Sequence, residues 1–234
     1  MNLFLFLCFI CLGVAASVLA KKLTLAAALT GGALGVIIFF GVEWMGIALM
    51  AAFFLLGTLA TSWKKNTKQT LGIAQENKGR RSVGQVLANG GVAGLLGLLS
   101  VLFPQYAPTF LLLMAASFSS ATADTVSSEL GSVYGRKFYD ILSFKKGRRG
   151  ADGVISVEGI FFGLAGSAIV ATVYAIGSGW RREYLWIVVA GTIGNLADSY
   201  LGATLERRGI MGNDAVNFLN TAIAALCAFL LLYI

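Results

Sequence analysis

Apolar runs of spanning length recur along almost the whole chain, broken by short polar or glycine-containing segments. A helix needs roughly 20 mostly apolar residues to cross a bilayer, with a working range of about 17 to 25. Runs of this kind lie near residues 3–20, 23–42, 44–63, 84–103, 108–128, 154–177, 184–204 and 214–234. The pattern predicts an all-α, polytopic transmembrane bundle of about eight spans forming one integral membrane domain. Residues 1–63 read as scaffold helices, 64–83 as a basic loop, and 84–234 as polar-bearing helices with a second basic loop at 129–153. Six or seven spans is the alternative count, because the fifth, seventh and eighth runs carry carboxylates or amides and the turn from Gly41 to Trp44 is tight.

Charge supports both the count and an orientation. Lys and Arg concentrate in loops on the cytoplasmic side of a membrane. Alternating the loops of the eight-span pattern puts 16 of the 18 basic residues on one side and only Arg181 and Arg182 on the other. The polar face is therefore expected at the cytoplasm, in a prokaryotic plasma membrane, with both termini on the opposite side. Residues 1–20 have no basic segment ahead of the apolar run, so they read as a retained first helix rather than a signal.

Composition then narrows the chemistry. The 234 residues are 57% hydrophobic and 12% charged, about half the charged fraction of a soluble domain. No histidine is present, which removes imidazole bases, histidine–metal sites and the Ser/His and Cys/His nucleophile pairs. Cys8, Cys11 and Cys227 all sit in apolar runs and read as packing groups. Nothing points to nucleic acid, since the +7 net charge belongs to membrane-flanking loops. The pairs Gly31 and Gly35, Gly90 and Gly94, and Gly159 and Gly163 are four apart, a spacing that lets helices approach closely in lipid. The glycines of the second basic loop could instead cradle a phosphate.

Polar groups inside the spans mark a site, because a charge near the centre of a membrane helix costs about 2.5–3.5 kcal/mol. Asp124 and Ser128 share a face of the fifth span, with Thr125 and Glu129 beside them. Asn195, Asp198 and Ser199 cluster in the seventh, and Gln85 and Asn89 lie four apart in the fourth. Asn213, Asn217 and Asn220 follow helical spacing in the eighth, and Ser156 and Glu158 open the sixth. By the alternation of the spans, all of these fall at one depth, on the basic side. Hydrogen-bonded helix packing is the competing reading for the isolated amides, and attraction to anionic headgroups is the one preferred for Lys64, Lys65 and Lys68. Carboxylates beside amides and a basic rim suit a magnesium–phosphate site, and phosphoryl transfer needs positioning and charge neutralisation more than an imidazole. No Walker loop is present. A short echo, Ala-Asp-Thr at 123–125 against Ala-Asp-Ser at 197–199, is compatible with a duplicated half.

Five motifs in order carry a resemblance. They are Arg-Arg-Ser-Val-Gly-Gln-Val-Leu-Ala-Asn-Gly at 80–90, Ala-Thr-Ala-Asp-Thr-Val-Ser-Ser-Glu-Leu-Gly at 121–131, Gly-Ala-Asp-Gly-Val-Ile-Ser at 150–156, Asp-Ser-Tyr-Leu-Gly-Ala-Thr at 198–204, and Asn-Asp-Ala-Val-Asn-Phe-Leu-Asn-Thr at 213–221. Over nearly the whole chain this resembles the integral membrane family of domain of unknown function ninety-two, with transmembrane protein nineteen and the chloroplast phytyl-phosphate kinases as relatives. The third motif departs from the family's Thr or Ser with further glycine, so the resemblance assigns Asp152 no role.

The resemblance implies a lipid kinase that converts an isoprenoid monophosphate to the diphosphate with a nucleoside triphosphate, CTP being the candidate donor. Asp124, Glu129 and Asp198 are then the catalytic and Mg²⁺-holding carboxylates, with Asp214 a further metal candidate. Nucleotide and phosphate contacts fall to Gln85, Asn89, Ser128, Ser156, Asn195, Ser199, Asn213, Asn217 and Asn220, and to Arg80, Arg81, Arg148, Arg149 and Arg207. Two rivals stay open at this point: a nucleotidyltransferase making a CDP-linked lipid, and a transporter of a phosphorylated lipid or ion.

Overall fold

The computed structural model describes residues 3–73 and 79–234; Lys78, counted among the basic loop residues, lies outside them. Helix α1 covers Leu3–Leu19, α2 Leu25–Ser62, α3 Lys65–Thr70, α4 Val83–Leu102, α5 Ala107–Tyr134, α6 Val157–Ser178, α7 Glu183–Leu201 and α8 Asn213–Leu231. The chain forms the helical bundle expected of it.

Helix α2 is two arms. Val42 and Glu43 leave the helical region, Glu43 with φ 55°. A straight helix would separate Gly35 from Met50 by about 22 Å at 1.5 Å per residue. Yet a β-carbon on Gly35 would stand 3.8 Å from the Met50 sulfur, so the second arm doubles back on the first. The tight turn anticipated at residues 41–44 is this break. Counting α2 once, five helices among the described residues are long and apolar enough to cross a membrane: α2, α4, α5 with the turn before it, α6 and α8. Helix α1, at 17 residues, is shorter. Helix α7, with 19 residues, is diluted by Glu183, Asn195 and Asp198.

Helix α5 is the axis of the bundle and packs on α2, α4, α6, α7 and α8. Every residue from Leu112 to Ala123 is buried. That stretch is rich in Ala and Ser, and small residues let backbones approach where lipid supplies no hydrophobic drive between helices. Ser119 Oγ donates to the Ile187 carbonyl of α7 at 3.2 Å. The glycine pairs perform as their spacing suggests: Gly90 and Gly94 receive Leu34, while Gly159 and Gly163 press on α5. Gly31 is packed more loosely: a β-carbon there would meet only Val86, at 3.9 Å.

The ends of the rods fix which loops share a face. Arg81 N donates to Lys22 O at 2.9 Å, and Thr24 N to Arg81 O at 3.2 Å. Lys22 Nζ donates to Ser62 Oγ at 2.7 Å, and Trp63 Nε1 to the Tyr134 hydroxyl at 2.8 Å. The starts of α4, α6 and α8 and the ends of α5 and α7 therefore meet at the end that carries the basic loops.

The second basic loop differs from expectation. Helix α5 continues to Tyr134, and the rest forms a hairpin of β1 (Phe138–Asp140) and β2 (Val154–Ser156), with Phe138 opposite Ser156 and Asp140 opposite Val154. Gly153, at φ +70°, lets the hairpin press so closely on Ala203 that a β-carbon would overlap it. Helix α7 does not run straight into its loop but ends in a π-turn, Gly202–Glu206.

Candidate functional site

Two adjoining clefts open at the basic end. The first, about 820 Å³, is walled by Asp124, Ser127 and Ser128 of α5, Asn195, Asp198 and Ser199 of α7, and the hairpin residues 150–156, with Glu206 and Asn213 at its edge. The second, about 1900 Å³, contains Gln85, Glu129, Arg148, Arg149, Asn213 and Asp214. Ser128, Ser132, Gly150, Ala151 and Asn213 line both, so the two clefts share a boundary.

In the first cleft the carboxyl groups of Asp124 and Asp198 are in hydrogen-bonding contact. Asn220 Nδ2 donates to Asp198 Oδ1 at 2.7 Å, and Asn220 Oδ1 accepts from Ser120 Oγ at 3.0 Å. Three helices thus hold the aspartate pair in place. Two more acids join it electrostatically. Asp152 and Glu206 lie close enough to perturb Asp198, each other, or both. Burial, then the charges of Asp152 and Asp198, push the Glu206 carboxyl up to about 7. No lysine or arginine side chain is among the described residues lining this cleft.

The other anticipated residues divide. Glu129 does not join the aspartates: five residues beyond Asp124, it points about 140° around the helix. Its Oε2 pairs with Lys68 Nζ at 2.5 Å, both side chains being buried. Lys68 was expected at the headgroups; instead α3 folds it inward, where it also donates to Ala60 O at 2.7 Å. Asp214 packs against Gly84 at the start of α4, where a helix N-terminus favours an anion. Among the described residues, no group of three or more acidic or cysteine side chains is gathered to hold a metal ion by itself.

Several amides and arginines serve the fold. Gln85 and Ser82 form a reciprocal capping box on α4, although Gln85 also faces the second cleft. Asn89 donates back to Gln85 O at 2.9 Å. Ser156 caps α6 through Gly159 N at 3.0 Å, and Asn217 accepts from Asn220 at 3.5 Å. Arg81 packs on Gly57 and over the Phe53 ring at 5.2 Å. Arg80 keeps a buried Nε with no hydrogen-bond partner among the described residues. Arg207 Nη1 pairs with Asp140 at 2.7 Å and its Nη2 donates to the Asp152 carbonyl, tying the hairpin to the α7–α8 connection. That pairing, with the help of Ser143, holds the Asp140 carboxyl down to about 2. Arg149 Nη2 donates to Gly135 O at 3.1 Å, and Arg148 is exposed at the second cleft.

Asp152 and Glu206 are the residues that sequence reasoning did not place in the site. Glu206 carried a signal, since it lies eight residues after Asp198, two helical turns along one face. Ending the span at residue 204 hid it.

The model of a family described as integral membrane protein DUF92 matches residues 8–225, which takes in every motif-bearing helix. The chain belongs to this family. Its relatives include "Protein VTE6, chloroplastic" of Arabidopsis thaliana, 35% identical over 193 residues, or 80% of this chain and 58% of the relative. The uncharacterized membrane protein sll0875 of Synechocystis is 32% identical over 198 residues, 83% of this chain and 77% of the relative. The uncharacterized membrane protein MJ0933 of Methanocaldococcus jannaschii is 31% identical over 185 residues, 79% and 75% of the two chains. The chain thus spans somewhat over half the length of the Arabidopsis relative and about three quarters of the other two. No solved structure matches. Membership makes the chain an integral membrane protein, in agreement with its apolar helices.

Proposed function

We propose that this chain is a prenyl-monophosphate kinase, transferring the terminal phosphoryl group of a nucleoside triphosphate, CTP for preference, to an isoprenoid monophosphate at the cytoplasmic face. The observation that carries the reading is the contact between Asp124 and Asp198, two carboxyl groups, the second fixed by Asn220, in a cleft whose described lining has no basic side chain. Such a pair is uncomfortable without a cation. It fits Mg²⁺, which is typically held by one or two protein carboxylates together with phosphate oxygens and water. When bound there, the ion would neutralise charge on the β- and γ-phosphates.

Asp124 and Asp198 would hold the ion, and Asn220 keeps Asp198 oriented. Ser127, Ser128, Asn195 and Ser199 offer donors to phosphate oxygens along the same wall. Arg148 and Arg149, across the shared boundary, offset the remaining negative charge. The acceptor phosphate is already an anion at neutral pH, so no general base is required. The hairpin over the cleft limits water, the competing acceptor. The family resemblance supplies the isoprenoid class, because the aspartates by themselves specify only a cation and phosphates.

Purified protein incubated with labelled CTP or ATP, Mg²⁺ and geranylgeranyl or phytyl monophosphate should release nucleoside diphosphate and form the prenyl diphosphate. Equal turnover by wild type and Asp124→Asn would sink the role of the pair. Release of inorganic diphosphate with a CDP-linked lipid would replace the kinase by a nucleotidyltransferase. Uptake of the phosphorylated lipid into proteoliposomes without nucleotide consumption would replace it by a transporter.

A further inference from the structure

A groove runs between α1 and both arms of α2, lined by Phe9, Val14, Gly31, Met50 and Phe54, with a volume of about 1200 Å³. From Phe9 to Ala20 it extends about 16 Å along α1 at 1.5 Å per residue. Past Gly31, Met50 and Phe54 it continues inward as a much smaller space between α2, α4 and α5, against the buried side chains of Ile38 and Phe118. That inner space ends at Arg81 and Gln85. Gln85 also lines the second cleft, beside Glu129 and Arg149. The groove and the inner space thus adjoin through Gly31, Met50 and Phe54 as one apolar passage, which abuts the second cleft at Gln85.

Three features say what fills it. Unfilled space inside a packed protein forfeits dispersion contacts, so a passage of this size is expected to hold an apolar chain. Gly31 lines both spaces, and a β-carbon there would touch only Val86, at 3.9 Å, so the junction between them is uncrowded. The cations of the passage gather at one end, as an anionic amphiphile requires: Lys22 lines the outer groove, and Arg81, which forms no salt bridge among the described residues and donates its backbone N–H to Lys22 O at 2.9 Å, lines the inner space.

We infer that this passage is the binding site for the isoprenoid tail, with Arg81 and Gln85 at the point where the tail gives way to its phosphate. The inference rests on the prenyl-phosphate reading above and extends it to the helices α1 and α2, which carry none of the polar clusters. The inner space takes the isoprene units nearest the phosphate, and the α1–α2 groove takes the distal ones. Gly31 lies where the two spaces meet.

The test uses the full chain in proteoliposomes with a geranylgeranyl monophosphate that carries a photoreactive diazirine on its tail. Cross-links should map to peptides of α1 and of both α2 arms, around Met50 and Phe54. Unlabelled geranylgeranyl monophosphate should compete, and phosphatidylglycerol should not. Gly31→Leu should lower labelling about tenfold by occupying the ligand's volume, and Ala51→Phe, in the outer groove, provides a second obstruction should the first variant fail to fold. Label confined to α6, α7 and α8, or equal competition by phosphatidylglycerol, would overturn the inference. The readout requires no turnover. Labelling of the groove without diphosphate product would retire the kinase and leave the tail site standing, whereas product formation with label elsewhere would retire only the tail site.

Discussion

Asn220 on α8 donates its side-chain amide to Asp198 on α7 at 2.7 Å, and on its other side accepts from Ser120 on α5 at 3.0 Å. Asn220 is fully buried, so these bonds are not exchanged with water. Asn220→Ala removes both side-chain bonds, taking the donor from the aspartate oxygen and leaving the Ser120 hydroxyl only the Asn220 backbone carbonyl at 3.3 Å. Side-chain hydrogen bonds between membrane helices average about 0.6 kcal/mol, and two are lost, so a cost of about 1 kcal/mol is expected. In a chain of this length that lowers Tm by about 2–4 °C, measurable by thermal unfolding in detergent.

The aspartate pair should behave in the opposite way. Asp124 and Asp198 touch with no described cation beside them, and two like charges in one site disfavour each other. Replacing either by Asn removes that repulsion while keeping the shape. Asp198→Asn should therefore raise Tm in the absence of divalent ions and abolish any further rise on adding Mg²⁺, while prenyl diphosphate formation falls at least about 100-fold. A variant that is both less stable without Mg²⁺ and still stabilised by it would contradict the metal-holding role.

How far the sequence foretold this site depends on the kind of signal each residue carries. Asp124 and Asp198 were legible because a carboxylate in an apolar run is costly wherever the neighbouring helices lie, and alternation of the spans put both at one depth. Asn220 was legible from its spacing in α8. Glu129 was grouped with the aspartates as a carboxylate at the same depth, and depth does not register the angle around α5 that separates it from Asp124. Lys68 could not be read, because its burial depends on six residues of α3 folding back beneath the bundle, a tertiary event without periodicity. The hairpin was hidden too: three-residue strands are too short for alternation to register.

The Lys68–Glu129 pair predicts strong coupling. Its members are 2% and 6% exposed, so removing one leaves an uncompensated buried charge. Lys68→Met alone should cost about 3–5 kcal/mol, whereas Lys68→Met with Glu129→Leu should recover much of that, because replacing both members of a buried pair by apolar groups is often neutral. A double-mutant cycle on Tm and unfolding midpoints checks this. Additive losses would mean that the two side chains do not depend on each other.

Two carboxyls near the hairpin predict pH effects of opposite sign. Asp140 titrates near 2 because the Arg207 guanidinium and Ser143 favour its charged form. Its contribution is therefore full above the ordinary carboxylate range and fades as pH falls toward about 2. Glu206 is raised to about 7 by burial and by Asp152 and Asp198, so between about 4.5 and 7 the folded chain binds a proton that the unfolded chain has released, and stability declines as pH rises. Being only half-buried, Glu206 is partly screened, which keeps that slope shallow. Tm measured from pH 3 to 8 in metal-free buffer should fall at both limbs. Glu206→Gln should flatten the decline above about pH 5 and leave the acid limb intact, and Asp140→Asn should do the reverse. If Glu206→Gln left the neutral limb unchanged, that carboxyl would not share the field of Asp152 and Asp198, and the acidic cleft would consist of the aspartate pair without it.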